Sequence, residues 1–336
     1  MMTIYGLSQG RPVCLERTGS DLPVPADVLW IDLHNASRDE ECTVEALLGL
    51  EIPTRQEMAE IEESSRLYEE RGALVMTAVV VHGAAEGRPT RAPVTCVLTP
   101  THLVSVRYAD LSSFRAFQAK LQRSPEQHTS ADRIFVSLVD AIVERAADVL
   151  EMAAADLNEV STRLFVEDPT TITPAARLRR KAGQVEDELQ ATIKRIGRKN
   201  LALAILRESL LSLSRLVPYV RQGANDWLSN GGPARLKQLE RDVRSLSAYE
   251  TQLSAEITFL HEATIGLINL GQNRIIKVFS IAAVLFLPPT LVGTIYGMNF
   301  ERMPELKWAA GYPFAILLMI ASAVVPYFWF KQRGWL

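Results

Sequence analysis

Two apolar runs, IIKVFSIAAVLFLPPTLVGTIY at residues 275–296 and YPFAILLMIASAVVPYFWF at residues 312–330, lie close together in this 336-residue chain. Each run is about 20 residues long. At about 1.5 Å of rise per residue, such a helix spans the roughly 30 Å hydrocarbon core of a bilayer. A soluble domain rarely contains two such runs side by side. The pair therefore predicts a transmembrane hairpin and a function that needs a membrane.

Charges around the two runs predict how the hairpin is oriented. Four basic residues flank the runs on the sides away from the connecting loop: Arg274, Lys277, Lys331 and Arg333. The loop carries two acidic and two basic residues that cancel: Glu301, Arg302, Glu305 and Lys307. Because positive flanks stay in the cytoplasm, we expect both termini to be cytoplasmic. The residues before the first run then form a cytoplasmic body.

Composition excludes several classes of protein. A net charge of −3 and a charged fraction of 22% do not indicate a nucleic-acid binder. The three cysteines, Cys14, Cys42 and Cys96, are scattered, which favours small buried apolar residues over a metal site. Because we find no phosphate loop, nucleophile elbow or paired catalytic set, we do not expect an enzyme.

The predicted fold class is α+β, with three regions. Residues 1–125 alternate short β-rich runs with short helical patterns and predict a cytoplasmic α/β domain. Residues 126–272 predict a stalk of long helices. Residues 273–336 contain the hairpin, with an outer loop at 297–311. The predicted strands lie at Val28–Leu33, Leu74–Val81, Val94–Leu98 and Leu103–Tyr108.

A long helix is predicted to connect the cytoplasmic body to the membrane. No proline occurs between Ala234 and Pro288, so a helix continuous to Tyr296 would have on the order of 60 residues. Apolar residues recur along it at alternating three- and four-residue spacing from Leu236 to Leu267. Two polar residues interrupt this heptad seam: Glu250 and Thr264. The seam predicts packing against other helices.

A small and polar stripe is predicted on another face of the same helix. It consists of two seven-residue lines: Asn273, Ser280, Leu287 and Thr294, with Ile276, Ala283, Thr290 and Gly297 beside them. Such a stripe inside a membrane usually faces protein or water. The alternative is that its hydroxyls only bond carbonyls of their own helix. Two helices cannot enclose a water-filled path, so a pore needs several chains.

The segment Tyr296-Gly297-Met298-Asn299, followed by residues 303–308 (MPELKW), resembles the outer mouth of the CorA family of divalent-cation transporters. Upstream, residues 272–277 (QNRIIK) and 286–292 (FLPPTLV) are similar to its enterobacterial-type branch. The close resemblance covers roughly residues 270–336. A Gly-Met-Asn tripeptide between two apolar runs, with these flanks, is a specific signal.

The resemblance implies a homopentameric funnel in the bacterial inner membrane that lets Mg²⁺, and also Co²⁺ and Ni²⁺, flow passively into the cytoplasm. It implies a selectivity mouth at Gly297, Met298 and Asn299. It also implies a pore lined or gated by Asn273, Ile276, Phe279, Ser280, Leu287, Thr290 and Thr294. Partners are other copies of the chain, membrane lipids and divalent cations. No prosthetic group is expected; Mg²⁺ is both cargo and regulator, at regulatory sites that we cannot assign.

The chemistry of the outer loop is compatible with this resemblance. Mg²⁺ releases its water reluctantly, so the Asn299 carbonyl suits recognition of the hydrated ion from the outer shell. Gly297 permits a sharp turn of the backbone. Glu301 and Glu305 would raise the local concentration of cations.

Two other interpretations stay open. The related zinc transporter branch, which is ZntB-like, shares the architecture but typically has Gly-Ile-Asn at the mouth, so Met298 favours magnesium. A membrane-tethered scaffold would use the hairpin only as an anchor, and an anchor needs neither the stripe nor the mouth motif.

Overall fold

The computed structural model describes residues 1–8, 11–16, 27–165, 182–298, 308 and 310–334. Contacts divide the chain into two units: Met1–Arg179 with Gln190–His261, and Arg180–Leu189 with Glu262–Leu336. The first unit contains a β-sheet and its covering helices. The second contains two apolar helical segments. The domain boundaries predicted at residues 125 and 272 stay predictions.

Strands from the described residues form one seven-stranded sheet in the order β2-β1-β3-β7-β6-β5-β4. The strands are β1 Met2–Ser8, β2 Arg11–Glu16, β3 Val28–His34, β4 Leu67–Glu70, β5 Ala73–His82, β6 Thr90–Leu98 and β7 Leu103–Arg107. The central pair β3 and β7 is parallel, and the other pairs are antiparallel. The four predicted strands are confirmed as β3, β5, β6 and β7.

Three strands were not predicted, and all lie at the two ends of the sheet. Strands β2 and β4 are its edges, and β1 is the neighbour of β2. Strand β4 has only four residues, two of them glutamates, and its register is set by pairing Leu67 with Met76 of β5. Short, partly polar edge strands depend on their partners more than on their own apolar pattern.

Different helices cover the two faces of the sheet. On one face, Val44 of α1 (Arg38–Leu48) and Met58 of a 3-10 turn pack with strand residues such as Ile31. A short α2 (Glu63–Arg66) precedes β4. On the other face, α3 (Ser112–Arg123) and α4 (Ala131–Phe165) form a larger core around Trp30. The sheet is therefore buried on both sides, as expected where its central strands are parallel.

A buried ion pair joins the two parallel strands. The Asp32 carboxylate on β3 accepts hydrogen bonds from Arg107 Nη2 at 2.8 Å and from Ser105 Oγ at 2.7 Å, both on β7. Trp30 Nε1 donates to the same Ser105 hydroxyl at 2.9 Å. All four residues are buried. This network connects residues more than 70 positions apart and satisfies charges that are costly to bury alone.

The cysteines behave only partly as predicted. Cys96 on β6 is buried, and burial raises the pKa of its thiol to about 12, so it is a neutral apolar residue. Cys42 on α1 is exposed, so the prediction that it is buried is wrong. Residue 42 lies on the solvent side of a surface helix that buries only Val44. The side chain of Cys14 lies outside the part of the chain that the structure describes.

Two very long helices follow α4. Helix α5 is Ala182–Gly223, and helix α6 is Gly232–Tyr296. Helix α6 has 65 residues and is therefore about 98 Å long. It continues through Pro288 and Pro289. The predicted uninterrupted helix from Ala234 to Tyr296 is confirmed.

The predicted heptad seam of α6 is buried over most of its length. The buried or partly buried apolar residues are Leu236, Leu239, Val243, Leu246, Leu253, Ile257 and Leu260. Glu250 is also buried: its carboxylate accepts hydrogen bonds from Arg207 Nε of α5 at 2.9 Å and from Ser254 Oγ at 2.7 Å. Thr264 is buried too. Leu267 is 37% exposed in the single chain, so its burial against other copies of the chain stays a prediction.

Candidate functional site

The second unit contains the candidate site, formed by the last part of α6 and by α7 (Gly311–Gln332). Among the described residues, α6 and α7 are the two helices that are long and apolar enough to cross a membrane, judged by length and composition. Very few residues of their apolar segments are buried. A helix that is apolar all round and uncovered by protein is typical of a membrane span.

One face of α6, here called the covered face, is shielded by the rest of the second unit. Its residues are the less exposed ones of the segment: Ile281, Ala282, Leu285, Pro288, Pro289, Val292 and Tyr296. Next to them Gly293 approaches α7 closely: a Cβ atom placed there would lie 3.8 Å from Sδ of Met319. Small residues at such contacts let two membrane helices pack closely.

The seven residues predicted to line or gate a pore form the opposite face of α6, here called the open face. They are Asn273, Ile276, Phe279, Ser280, Leu287, Thr290 and Thr294, and all are exposed. At about 100° per residue, the centres of the open and covered faces lie roughly 180° apart. The three large apolar side chains are strongly exposed: Ile276 by 61%, Phe279 by 71% and Leu287 by 65%. The hairpin itself therefore leaves this face free.

Two hydroxyls on the open face bond carbonyls of their own helix. Thr290 Oγ1 donates to the Phe286 carbonyl at 2.7 Å, and Thr294 Oγ1 donates to the Thr290 carbonyl at 2.8 Å. Such bonds were expected if the polar stripe does not line a pore and its hydroxyls only bond carbonyls of their own helix. These bonds use only the O–H donor of each threonine. The two lone pairs of each hydroxyl oxygen stay available as acceptors. Each can still accept a hydrogen bond from water.

The structure places only the first two residues of the predicted mouth. Gly297 N–H donates to the Gly293 carbonyl at 3.0 Å, and Met298 N–H donates to the Ile295 carbonyl at 3.3 Å. The φ angle of Gly297 lies outside the left-handed region. Gly297 thus continues the hydrogen bonding of α6. Its φ angle does not require glycine, but a Cβ atom there would lie 3.2 Å from the Gly293 carbonyl oxygen, and this close contact favours glycine. Asn299, Glu301 and Glu305 lie outside the described residues.

The start of α7 is organised by residues that the sequence reasoning did not single out. Trp308 packs against Phe314, with 5.8 Å between ring centroids, and its carbonyl accepts the N–H of Gly311 at 2.9 Å. Gly311 and Ala315 are buried. In the sequence, the four-residue spacing of the small residues Gly311 and Ala315 could have indicated that this part of α7 contacts another segment.

Acidic residues are absent from the membrane part of α6. The sequence has no Asp or Glu between Glu262 and Glu301. Within the described part of the chain, no group of three or more His, Cys, Asp or Glu side chains could hold a metal ion. Within these described residues the structure thus assigns no regulatory metal site.

Comparisons with known proteins agree with one another. Residues 25–332 match the family described as CorA-like Mg²⁺ transporter protein. The chain is 32% identical over 336 residues, all of both chains, to the magnesium transport protein CorA of Salmonella typhimurium. It is equally similar, over the same coverage, to the protein of that name from Escherichia coli K12.

Two solved structures share the fold. The complete CorA magnesium transporter from Methanocaldococcus jannaschii has a TM-score of 0.75 at 14% identity, covering 100% of this chain and 99% of that one. The ZntB cytoplasmic domain from Vibrio parahaemolyticus has a TM-score of 0.52 at 9% identity, covering 80% of this chain and 97% of that one. With the match over residues 25–332 and the 32% identity along the whole length, this chain belongs to the family of CorA-like Mg²⁺ transporter proteins.

Proposed function

We propose that this chain conducts Mg²⁺, and also Co²⁺ and Ni²⁺, passively into the cytoplasm across the bacterial inner membrane. Several copies would bring their open faces together around one ion path, with α7 outside and both termini in the cytoplasm. The observation that carries the proposal is the position of the open face. It combines amide, hydroxyl and large apolar side chains, and it lies opposite the covered face of α6.

Family membership narrows the alternatives. The family is one of ion transporters, which confirms the prediction that the chain is not an enzyme. The relatives at 32% identity are named for magnesium transport, whereas the likeness to ZntB concerns the fold at 9% identity. Magnesium is therefore favoured over zinc. A scaffold would not need an open face with amides and hydroxyls.

The test is ion uptake into proteoliposomes that contain the full chain. Uptake of Mg²⁺, Co²⁺, Ni²⁺ and Zn²⁺ is measured with and without a pH gradient across the vesicle membrane. We expect uptake of the first three ions at rates that the pH gradient does not change. Zn²⁺ uptake that depends on the gradient, without Mg²⁺ uptake, would instead support the zinc alternative.

The protein is expected to be a pentamer, because one hairpin cannot enclose a water-filled path and the open face of a single chain is uncovered. Native mass spectrometry of the detergent-solubilised full chain should show five copies. A sample that contains only monomers or dimers at concentrations that support uptake would contradict the proposed assembly.

Three apolar side chains of the open face are expected to gate the path by excluding water. Replacing Leu287 or Phe279 by serine should increase Mg²⁺ leak and weaken inhibition by cytoplasmic Mg²⁺, because a polar ring stays hydrated. Leu317→Ser on α7 is a matched control, since Leu317 is 66% exposed and Leu287 is 65% exposed. If the Leu317 and Leu287 variants leak Mg²⁺ equally, the apolar side chains of the open face contribute to packing and do not form a gate.

A further inference from the structure

The last turns of α7 combine exposed aromatic rings with basic side chains. Tyr327, Phe328 and Trp329 are 41%, 55% and 51% exposed, and Lys331 and Arg333 are exposed as well. Phe330, by contrast, is buried. Aromatic rings with one polar edge are enriched where the hydrocarbon of a bilayer meets its headgroups. This segment, here called the basic aromatic turn, presents such rings outward, away from the protein.

The cations of this turn have no carboxylate partner in the described part of the chain. The Arg333 guanidinium lies over the Trp329 ring, 5.3 Å from its centroid. A guanidinium carries five N–H donors, so this contact leaves donors for a further partner. In the first unit, by comparison, Arg195 and Arg235 each donate to an aspartate, at 3.0 Å and 2.6 Å.

Acidic residues are sparse in the adjacent sequence. There is no Asp or Glu after Glu305 and none between Glu262 and Glu301. A third cation lies at the same end of the hairpin. Gly293 of α6 and Met319 of α7 lie next to each other. Measured along each helix from this contact, Lys277 is about 24 Å away on α6 and Lys331 about 18 Å away on α7, so both lie towards the same end. Three basic residues therefore lie at this end of the hairpin, next to the largely apolar surface of α7.

We propose that the basic aromatic turn binds the headgroup of an anionic phospholipid such as phosphatidylglycerol. Arg333 and Lys331 donate to the phosphodiester oxygens, and the Trp329 and Tyr327 rings pack against the glycerol and the upper acyl chains. The Arg333 guanidinium, held next to Trp329, can donate two N–H groups to one phosphate. The inference rests on the proposed function only in requiring that α7 spans a bilayer.

A purely structural role makes a different prediction. Basic residues in the last turn of a helix also interact favourably with its dipole. That role stabilises α7 equally in any lipid. Binding of an anionic headgroup instead predicts local enrichment of one lipid class around Trp329, by roughly fivefold for each cation that contacts the headgroup.

The experiment measures quenching of Trp329 fluorescence by brominated lipids in vesicles containing the full chain. Brominated phosphatidylglycerol and brominated phosphatidylcholine are compared at equal mole fraction, and Trp329→Phe identifies the Trp329 signal. We expect stronger quenching by phosphatidylglycerol in the parent and equal quenching by both lipids in the Lys331→Gln/Arg333→Gln variant. The control Arg38→Gln/Arg91→Gln also removes two exposed cations, but in the first unit, and should keep the preference.

Two results would overturn the proposal: equal quenching by both lipids in the parent, or an unchanged preference in Lys331→Gln/Arg333→Gln. Mg²⁺ uptake is measured in the same vesicles. Absence of uptake in every lipid would count against the transport proposal but would leave the quenching comparison valid. Normal uptake without lipid preference would reject the lipid site alone.

Discussion

Replacing Asn299 with alanine is expected to abolish most Mg²⁺ uptake while leaving the oligomer intact. In a pentamer, five carboxamides would offer acceptors to the water shell of the ion at little desolvation cost. Alanine removes all of these acceptors. Because the sequence predicts that Asn299 belongs to the outer loop at 297–311, we do not expect folding to depend on it.

The Asn299→Asp variant distinguishes two possible roles of Asn299: selecting the ion and forming the turn. Aspartate is also compatible with turns, so a residue needed only for the turn would tolerate it and uptake would stay near the parental rate. Five carboxylates would instead hold the cation too strongly and slow its release. Uptake is compared at equal membrane abundance, with Asn225→Ala, an exposed amide of the first unit, as control. Near-parental uptake by Asn299→Ala would refute the selectivity role.

Replacing Asp32 with alanine is expected to destabilise the central strand pair by about 3–5 kcal/mol, because it leaves the Arg107 guanidinium buried without its carboxylate. The Arg107 side chain is 7% exposed and the Asp32 side chain 1% exposed. Arg107 would retain a hydrogen bond to the Ala109 carbonyl and its contact with the Phe114 ring. Asp110 would also remain 3.9 Å from Arg107 Nη1, but its side chain is 53% exposed, so none of these contacts fully replaces the buried Asp32 carboxylate.

Hydrogen exchange of amides in β3 and β7 measures this effect locally in the full detergent-solubilised chain. Since 1.4 kcal/mol corresponds to a tenfold change in an equilibrium constant, protection from exchange should fall by about two to three and a half orders of magnitude. Arg91→Ala breaks a more exposed ion pair with Glu208 and should change protection by less than about tenfold. An equal effect of the two variants would mean that the buried pair contributes no more than a surface pair. The double variant Asp32→Leu/Arg107→Leu should recover much of the loss.

Much of the candidate site could be predicted from the sequence, because membrane segments and helix faces depend on local patterns. The two apolar runs, the loop between them and most residues of the open face follow from length, spacing and charge, whereas Phe279 was implied only by the family resemblance. The comparisons then confirmed the family that the motif at Tyr296–Asn299 indicated. The exposure of Cys42 could not be predicted. An apolar or small residue in a periodic pattern is buried only where another element covers it.

The sequence by itself therefore determined the helical hairpin, the uninterrupted α6 and most of its buried seam, since each depends on a repeat along one segment. Only the tertiary structure decided which side of α6 is covered, because that depends on which residues of α6 lie next to α7, as Gly293 lies next to Met319. It also decided the edge strands and the pairing of Asp32 with Arg107, 75 residues away. Contacts between distant segments leave no periodic trace in either segment, so the chain reveals them only once folded.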